Sequence, residues 1–272
     1  MTDPALGGKA VAAALTALAA LALSACTVSS SDGAADSGTE RTELSGELTV
    51  YAAASLSGAF DELATRFEAL HPAVRVAPIT YDGSSVLATQ VIEGAPADVF
   101  ASADRRNLAR VDDAGLLDGE PEVFATNVLE IAVRPGNPLG IDGLDDLADS
   151  ASADPLVVMC APEVPCGTAA ATLLDAAGVT VTPTSEEQNV SAVLTKVRSG
   201  EADAGLVYVT DIAAAAGAVD GVPIDGADAA TNDYPLAALA DAANPEAARA
   251  FVAFVRSPVG AEVLSAFGFG PP

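Results

Sequence analysis

The chain has 272 residues, half of them apolar and 18% charged, a balance that excludes an intrinsically disordered protein and allows one large domain or two ordinary ones. Acidic residues outnumber basic ones by 38 to 12, a formal charge of −26, whereas a nucleic-acid binder needs a basic face. The single histidine, His71, excludes sites built on two or more imidazoles, among them the usual zinc hydrolase arrangements.

Residues 1–26 read as a secretory segment. Lys9 supplies a weak basic start, and residues 10–25 are nearly all Ala, Leu and Val. That run is shorter than the roughly 20 apolar residues of a membrane span. It ends in Leu23-Ser24-Ala25-Cys26, which resembles the bacterial lipobox, where the thiol is acylated and Cys26 becomes the first residue. Residues 27–45 are rich in Ser, Thr, Gly and Asp and read as a flexible tether spanning about 25 Å as a coil. The expected location is therefore extracytoplasmic, lipid-anchored to the cell membrane.

From Gly46 onward strand-like and helical patterns alternate. Strands are expected at 47–52, 73–79, 97–102, 128–133, 156–159, 204–208 and 234–239. Helices are expected at 57–70, 84–93, 105–114, 168–177, 190–199, 211–216, 245–254 and 258–267, three of them followed directly by Gly115, Gly178 or Gly200. Such alternation implies an α/β protein, whose ligands sit outside the carboxyl ends of strands.

Four helix starts at such ends carry small donor residues: Ala54-Ser55-Leu56, Asp82-Gly83-Ser84-Ser85, Val164-Pro165-Cys166-Gly167 and Gln188-Asn189-Val190-Ser191. Tyr208 ends another strand. A lone serine at a helix start is more often only a cap. As a set, with no Lys, Arg or His inside the turns, these residues suit a fully ionised tetrahedral oxyanion held by hydroxyls, backbone N–H groups and helix dipoles.

The stretches YAAASL (51–56), GSSVLA (83–88), EGAPADVFASAD (93–104), VPCG (164–167), GLVY (205–208) and Tyr234-Pro235 resemble the periplasmic molybdate-binding proteins of bacterial ABC importers. The resemblance covers residues 47–268. It implies a type II periplasmic-binding-protein fold: two α/β lobes, each a mixed sheet flanked by helices, with the ligand in the cleft between them. Lobe 1 is expected at 46–126 plus 227–272 and lobe 2 at 127–226. It also implies molybdate or tungstate held by Ser55, Ser84, the N–H groups of Cys166 and Val190, and the Tyr208 hydroxyl. No catalytic residues, no cofactor and no metal beyond the molybdenum of the oxyanion are expected. The implied partner is an ABC permease, and the implied state a monomer.

Cys160 and Cys166 flank five residues. In an exported chain a disulfide is the first reading, with a metal pair or two free thiols as alternatives. Rival functions are the same fold with sulfate, phosphate, ferric iron or an organic acid, or an exported hydrolase. A hydrolase triad would need His71, which lies in a loop after a helix, and an iron site wants a tyrosine pair, whereas Tyr208 has no Tyr neighbour in sequence.

Overall fold

The computed structural model describes residues 43–148 and 155–272. The expected signal segment with its lipidation site Cys26, and the tether up to residue 42, lie outside the described residues.

The chain builds β1 (Gly46–Leu48), β2 (Val50–Ala53), α1 (Ser57–Leu70), β3 (Val74–Val76), β4 (Thr80–Asp82), α2 (Ser84–Ile92), β5 (Val99–Ala101), α3 (Arg105–Asp113) and β6 (Glu122–Asn127). It continues through β7 (Leu129–Val133), β8 (Val157–Cys160), α4 (Pro165–Ala177), β9 (Ser185–Glu187), α5 (Val190–Ser199), β10 (Ala204–Tyr208), α6 (Val209–Ala214) and β11 (Asp220–Pro223). It closes with β12 (Asn232–Ala238), α7 (Pro245–Val255) and α8 (Pro258–Ala266).

Two mixed five-stranded sheets result, ordered β4-β2-β5-β12-β6 and β11-β7-β10-β8-β9, while β1 pairs only with β3. In the first sheet β2 runs parallel to β4 and β5, and β12 is antiparallel to β5 and β6. In the second, β8 is parallel to β9 and β10, and β7 is antiparallel to β10 and β11. The chain passes from the first sheet to the second between Asn127 and Leu129, and returns between Pro223 and Asn232.

Local chemistry explains the helix boundaries. Asp104 and Asn189 cap α3 and α5 by accepting the N–H of Asn107 and Ala192. Gly178 and Gly200 end α4 and α5 in the left-handed region, at φ 69° and 78°, where a Cβ would be strained. The first sheet packs on an aromatic core in which Phe67 and Phe251 meet edge to face at 5.2 Å. All eight phenylalanines lie in its segments. The core of the second is aliphatic, built on Leu129, Ile131, Val158, Leu173, Val193 and Leu206.

Several expectations are corrected. The strand expected at 47–52 is two strands in different sheets, broken at Thr49, whose N–H turns to the Asp98 carboxylate at 2.7 Å. The strand expected at 73–79 stops at Val76. The helix expected at 168–177 begins at Pro165, so Cys166 and Gly167 lie inside its first turn. Strands β4, β6, β9 and β11 lie outside every run with strand patterning. His71 closes α1, its ring 4.7 Å from that of Phe67.

Candidate functional site

A small cavity lies where the ends of six strands converge. From the first-sheet side come Ala53, Ala54 and Ser55 at the end of β2, Asp82, Gly83 and Ser84 at the end of β4, and Ala103 after β5. From the second-sheet side come Val164, Pro165 and Cys166 after β8, Asn189 and Val190 after β9, and Tyr208 at the end of β10. All five residues singled out in the sequence as oxyanion ligands therefore line one cavity, although up to 153 positions separate them. Among the described residues, no Lys, Arg or His lines it.

Each donor has a structural reason to face inward. Pro165 has no N–H, so the first free amide of α4 belongs to Cys166. Val190 is the first residue of α5. First-turn amides have no intrahelical partner, and no turn or loop bond takes these two. The helix dipoles add partial positive charge at the same points. Ser84 is fully buried and its Oγ accepts the Ala103 N–H at 2.9 Å, so its own proton is free to donate. The Ser55 Oγ lies 2.9 Å from the Tyr234 hydroxyl. The Tyr208 hydroxyl is buried beside Tyr234 and, among the described residues, makes no hydrogen bond of ordinary length. Burial, first, and then the nearby Tyr234, Asp211 and Asp104 hold its pKa well above the ordinary phenol value, so it remains a donor.

Among the described residues, Asp82 is the one carboxylate lining the cavity. Its Oδ1 accepts the Gly83 N–H at 2.7 Å and the Asn189 Nδ2 at 2.8 Å, the second bond joining the two sheet sides. Beside it the backbones nearly touch: a Cβ on Gly83 would overlap the Gln188 carbonyl oxygen. Glu163, the other acidic residue near these turns, does not line the cavity. Asp211, just behind Tyr208, accepts the Tyr208 N–H at 3.0 Å, and burial pushes its carboxyl up to about 7.

Sequence reasoning missed two partners. Asn189 shows only as part of a turn, and nothing in its neighbourhood points to Asp82, 107 positions away. Tyr234 shows only as part of a motif. It stands beside Tyr208, ring centroids 6.0 Å apart, so the argument that Tyr208 lacks a tyrosine neighbour holds in sequence but fails in space. Burial raises both phenols, and no cluster of three or more His, Cys, Asp or Glu suited to a metal occurs among the described residues.

Cys160 and Cys166 form a disulfide, with Cα atoms 5.7 Å apart. It ties the end of β8 to the first turn of α4. Gly167 packs there so closely that a Cβ would strike the Ala161 and Cys160 backbone.

Comparison with known proteins follows the same lines. A molybdate-binding protein, ModA, of Mycobacterium tuberculosis is 44% identical over 225 residues, 83% of this chain and 85% of that protein. The periplasmic molybdate-binding protein of Azotobacter vinelandii superposes with a TM-score of 0.68 at 22% identity, over 83% of this chain and 99% of that one. The sulfate-binding protein SubI of M. tuberculosis superposes at 0.73 with 20% identity, over 83% and 86%; at these identities the two structures speak for the fold alone. Residues 48–270 match the model of the bacterial extracellular solute-binding proteins, and the chain belongs to that family.

Proposed function

We propose that this chain captures molybdate, and tungstate with it, outside the cytoplasm and delivers it to the permease of an ABC importer. The observation that carries the reading is the convergence of three hydroxyls and two unpaired first-turn amides on one small cavity free of basic side chains. A fully ionised tetrahedral dianion presents only acceptors, and that donor set matches it. The 44% identity to a molybdate-binding protein supports the same ligand. The role is binding, without catalysis: the solute-binding family supplies cargo to a transporter, and molybdenum enters only as part of that cargo.

In this reading Ser55, Ser84, Cys166, Val190 and Tyr208 hold the oxyanion. Residues 46–126 with 227–272 form one lobe and 127–226 the other. The anion stabilises the closed arrangement only through contacts to both. Acylation of Cys26 would keep the monomeric protein at the membrane surface, beside its permease.

The test is calorimetric titration of purified protein with molybdate, tungstate, sulfate and phosphate, together with unfolding temperatures. At a hundredfold excess over Kd, a bound anion stabilises the fold by about 2.7 kcal/mol. Molybdate and tungstate should do so and the other two should not. An equal response to sulfate would replace molybdate with sulfate, and no response to any oxyanion would discard the reading.

A further inference from the structure

Tyr234 does not line the cavity, yet it is fully buried behind it and touches Ser55. We propose that Tyr234 is a positioning residue that occupies one acceptor position of the Ser55 hydroxyl, biasing Ser55 to donate to the bound anion and against any oxyanion that carries a proton. The inference rests on the oxyanion reading above and concerns a residue outside the five ligands.

The Val128 N–H donates to Asn127 Oδ1 at 3.0 Å, which settles the orientation of that side-chain amide. Its Nδ2 therefore faces Thr210 Oγ1 at 2.9 Å and the Tyr234 hydroxyl at 3.4 Å. An amide N–H can only donate, so the Tyr234 oxygen accepts there. The phenol has one proton; the Tyr208 hydroxyl beside it faces Tyr234 as a donor, which leaves Ser55 Oγ at 2.9 Å to receive that proton. A serine hydroxyl that accepts from Tyr234 has its own proton directed elsewhere, and Ser55 borders the cavity. Burial raises the Tyr234 phenol and keeps it protonated, a condition the relay needs.

Ser84 is set the same way by a different donor, the Ala103 N–H. Both serines then present protons to the guest. A protonated oxyanion brings a donor of its own, and against such a serine two protons face each other. Without the Tyr234 hydroxyl, Ser55 is free to turn and accept that proton. Asn127 ends β6, Thr210 lies in α6 and Tyr234 lies in β12, so the relay stands where the chain passes between the sheets.

The experiment compares molybdate with arsenate at mildly alkaline pH, where molybdate carries no proton and arsenate keeps one. Kd is measured for the parent, Tyr234→Phe, Ser55→Ala and the double variant. The Tyr234→Phe change should lower the preference for molybdate over arsenate about tenfold, the worth of one buried hydrogen bond. In the Ser55→Ala background it should change that preference less than about twofold, because the effect travels through Ser55. An unchanged preference in Tyr234→Phe overturns the proposal, as does an equal change in both backgrounds, which would mark a merely structural effect. Failure of the parent protein to bind molybdate would instead overturn the oxyanion reading, and this inference with it. Should Tyr234→Phe not fold, Asn127→Leu removes the N–H that orients the relay and carries the same test, with a shift in the same direction expected and no shift overturning the proposal.

Discussion

Gly83 offers the sharpest test of closure around the site. It precedes α2 with φ −60° and ψ 137°, extended backbone that alanine adopts without strain. A Cβ there would overlap the Gln188 carbonyl oxygen, stand 3.2 Å from its carbonyl carbon and 3.4 Å from Val164 Cγ1. Those atoms belong to the second-sheet side, so the clash exists only when the two sides are together. Relief needs a separation of roughly 1–2 Å to restore ordinary contact distances. A separation of that size also breaks the Asp82–Asn189 bond and pulls the Cys166, Val190 and Tyr208 donors away from the serines. Overpacking alone costs about 1–3 kcal/mol, and each lost hydrogen bond to a buried charge adds a further 1.5–3 kcal/mol or so. Gly83→Ala should therefore weaken molybdate binding at least about a hundredfold. If the two sides stand apart without the anion, as the closure reading expects, anion-free stability should stay within about 0.5 kcal/mol of the parent. There the entropy alanine removes from the unfolded chain offsets its poorer capping. Calorimetric titration and unfolding with and without molybdate measure both quantities. Binding within threefold of the parent, or loss of stability without the anion, would refute the reasoning.

Three further outcomes are expected. Ser84→Ala should weaken molybdate binding by about 1–3 kcal/mol by titration, because a buried anion loses a donor. Asp211 governs a pH effect: with its carboxyl near 7 in the fold and near 3.8 when unfolded, the folded protein holds a proton that the unfolded chain has released between those values. Stability should thus fall as pH rises through that window, by up to roughly 4 kcal/mol, and Asp211→Asn should flatten the slope in denaturant titrations run at several pH values. Finally, denatured, unreduced protein lacking residues 1–42 should contain no free thiol. Removing the Cys160–Cys166 bond by a double Cys→Ser change should cost roughly 2 kcal/mol, as expected for so short a loop.

The structure also explains which strands a sequence reader finds. The expected strands include the central members of both sheets, β2, β5, β12, β7, β10 and β8. Each is buried, and its run of Val, Ala, Leu and Ile records that burial. The four missed strands, β4, β6, β9 and β11, are the four edges of the two sheets. Sequences such as Ser185-Glu186-Glu187 and Asp220-Gly221-Val222-Pro223 are half exposed and carry no apolar signature. Their strand character comes from the neighbour they pair with, and the neighbour is not written in them.

The same division runs through the site. Local sequence determined the helix starts, the capping residues, the small donors and the absence of cationic side chains in the turns, because each depends on a few consecutive residues and their backbone preferences. Only the tertiary structure decided that those turns meet in one cavity, that Asp82 binds Asn189 across it, that Gly83 must be bare to face Gln188, and that Tyr234 stands behind Ser55 from 179 positions away. These are contacts between segments that share no local pattern. They exist because two separately packed sheets bring their strand ends to one place, and chain order does not encode that proximity.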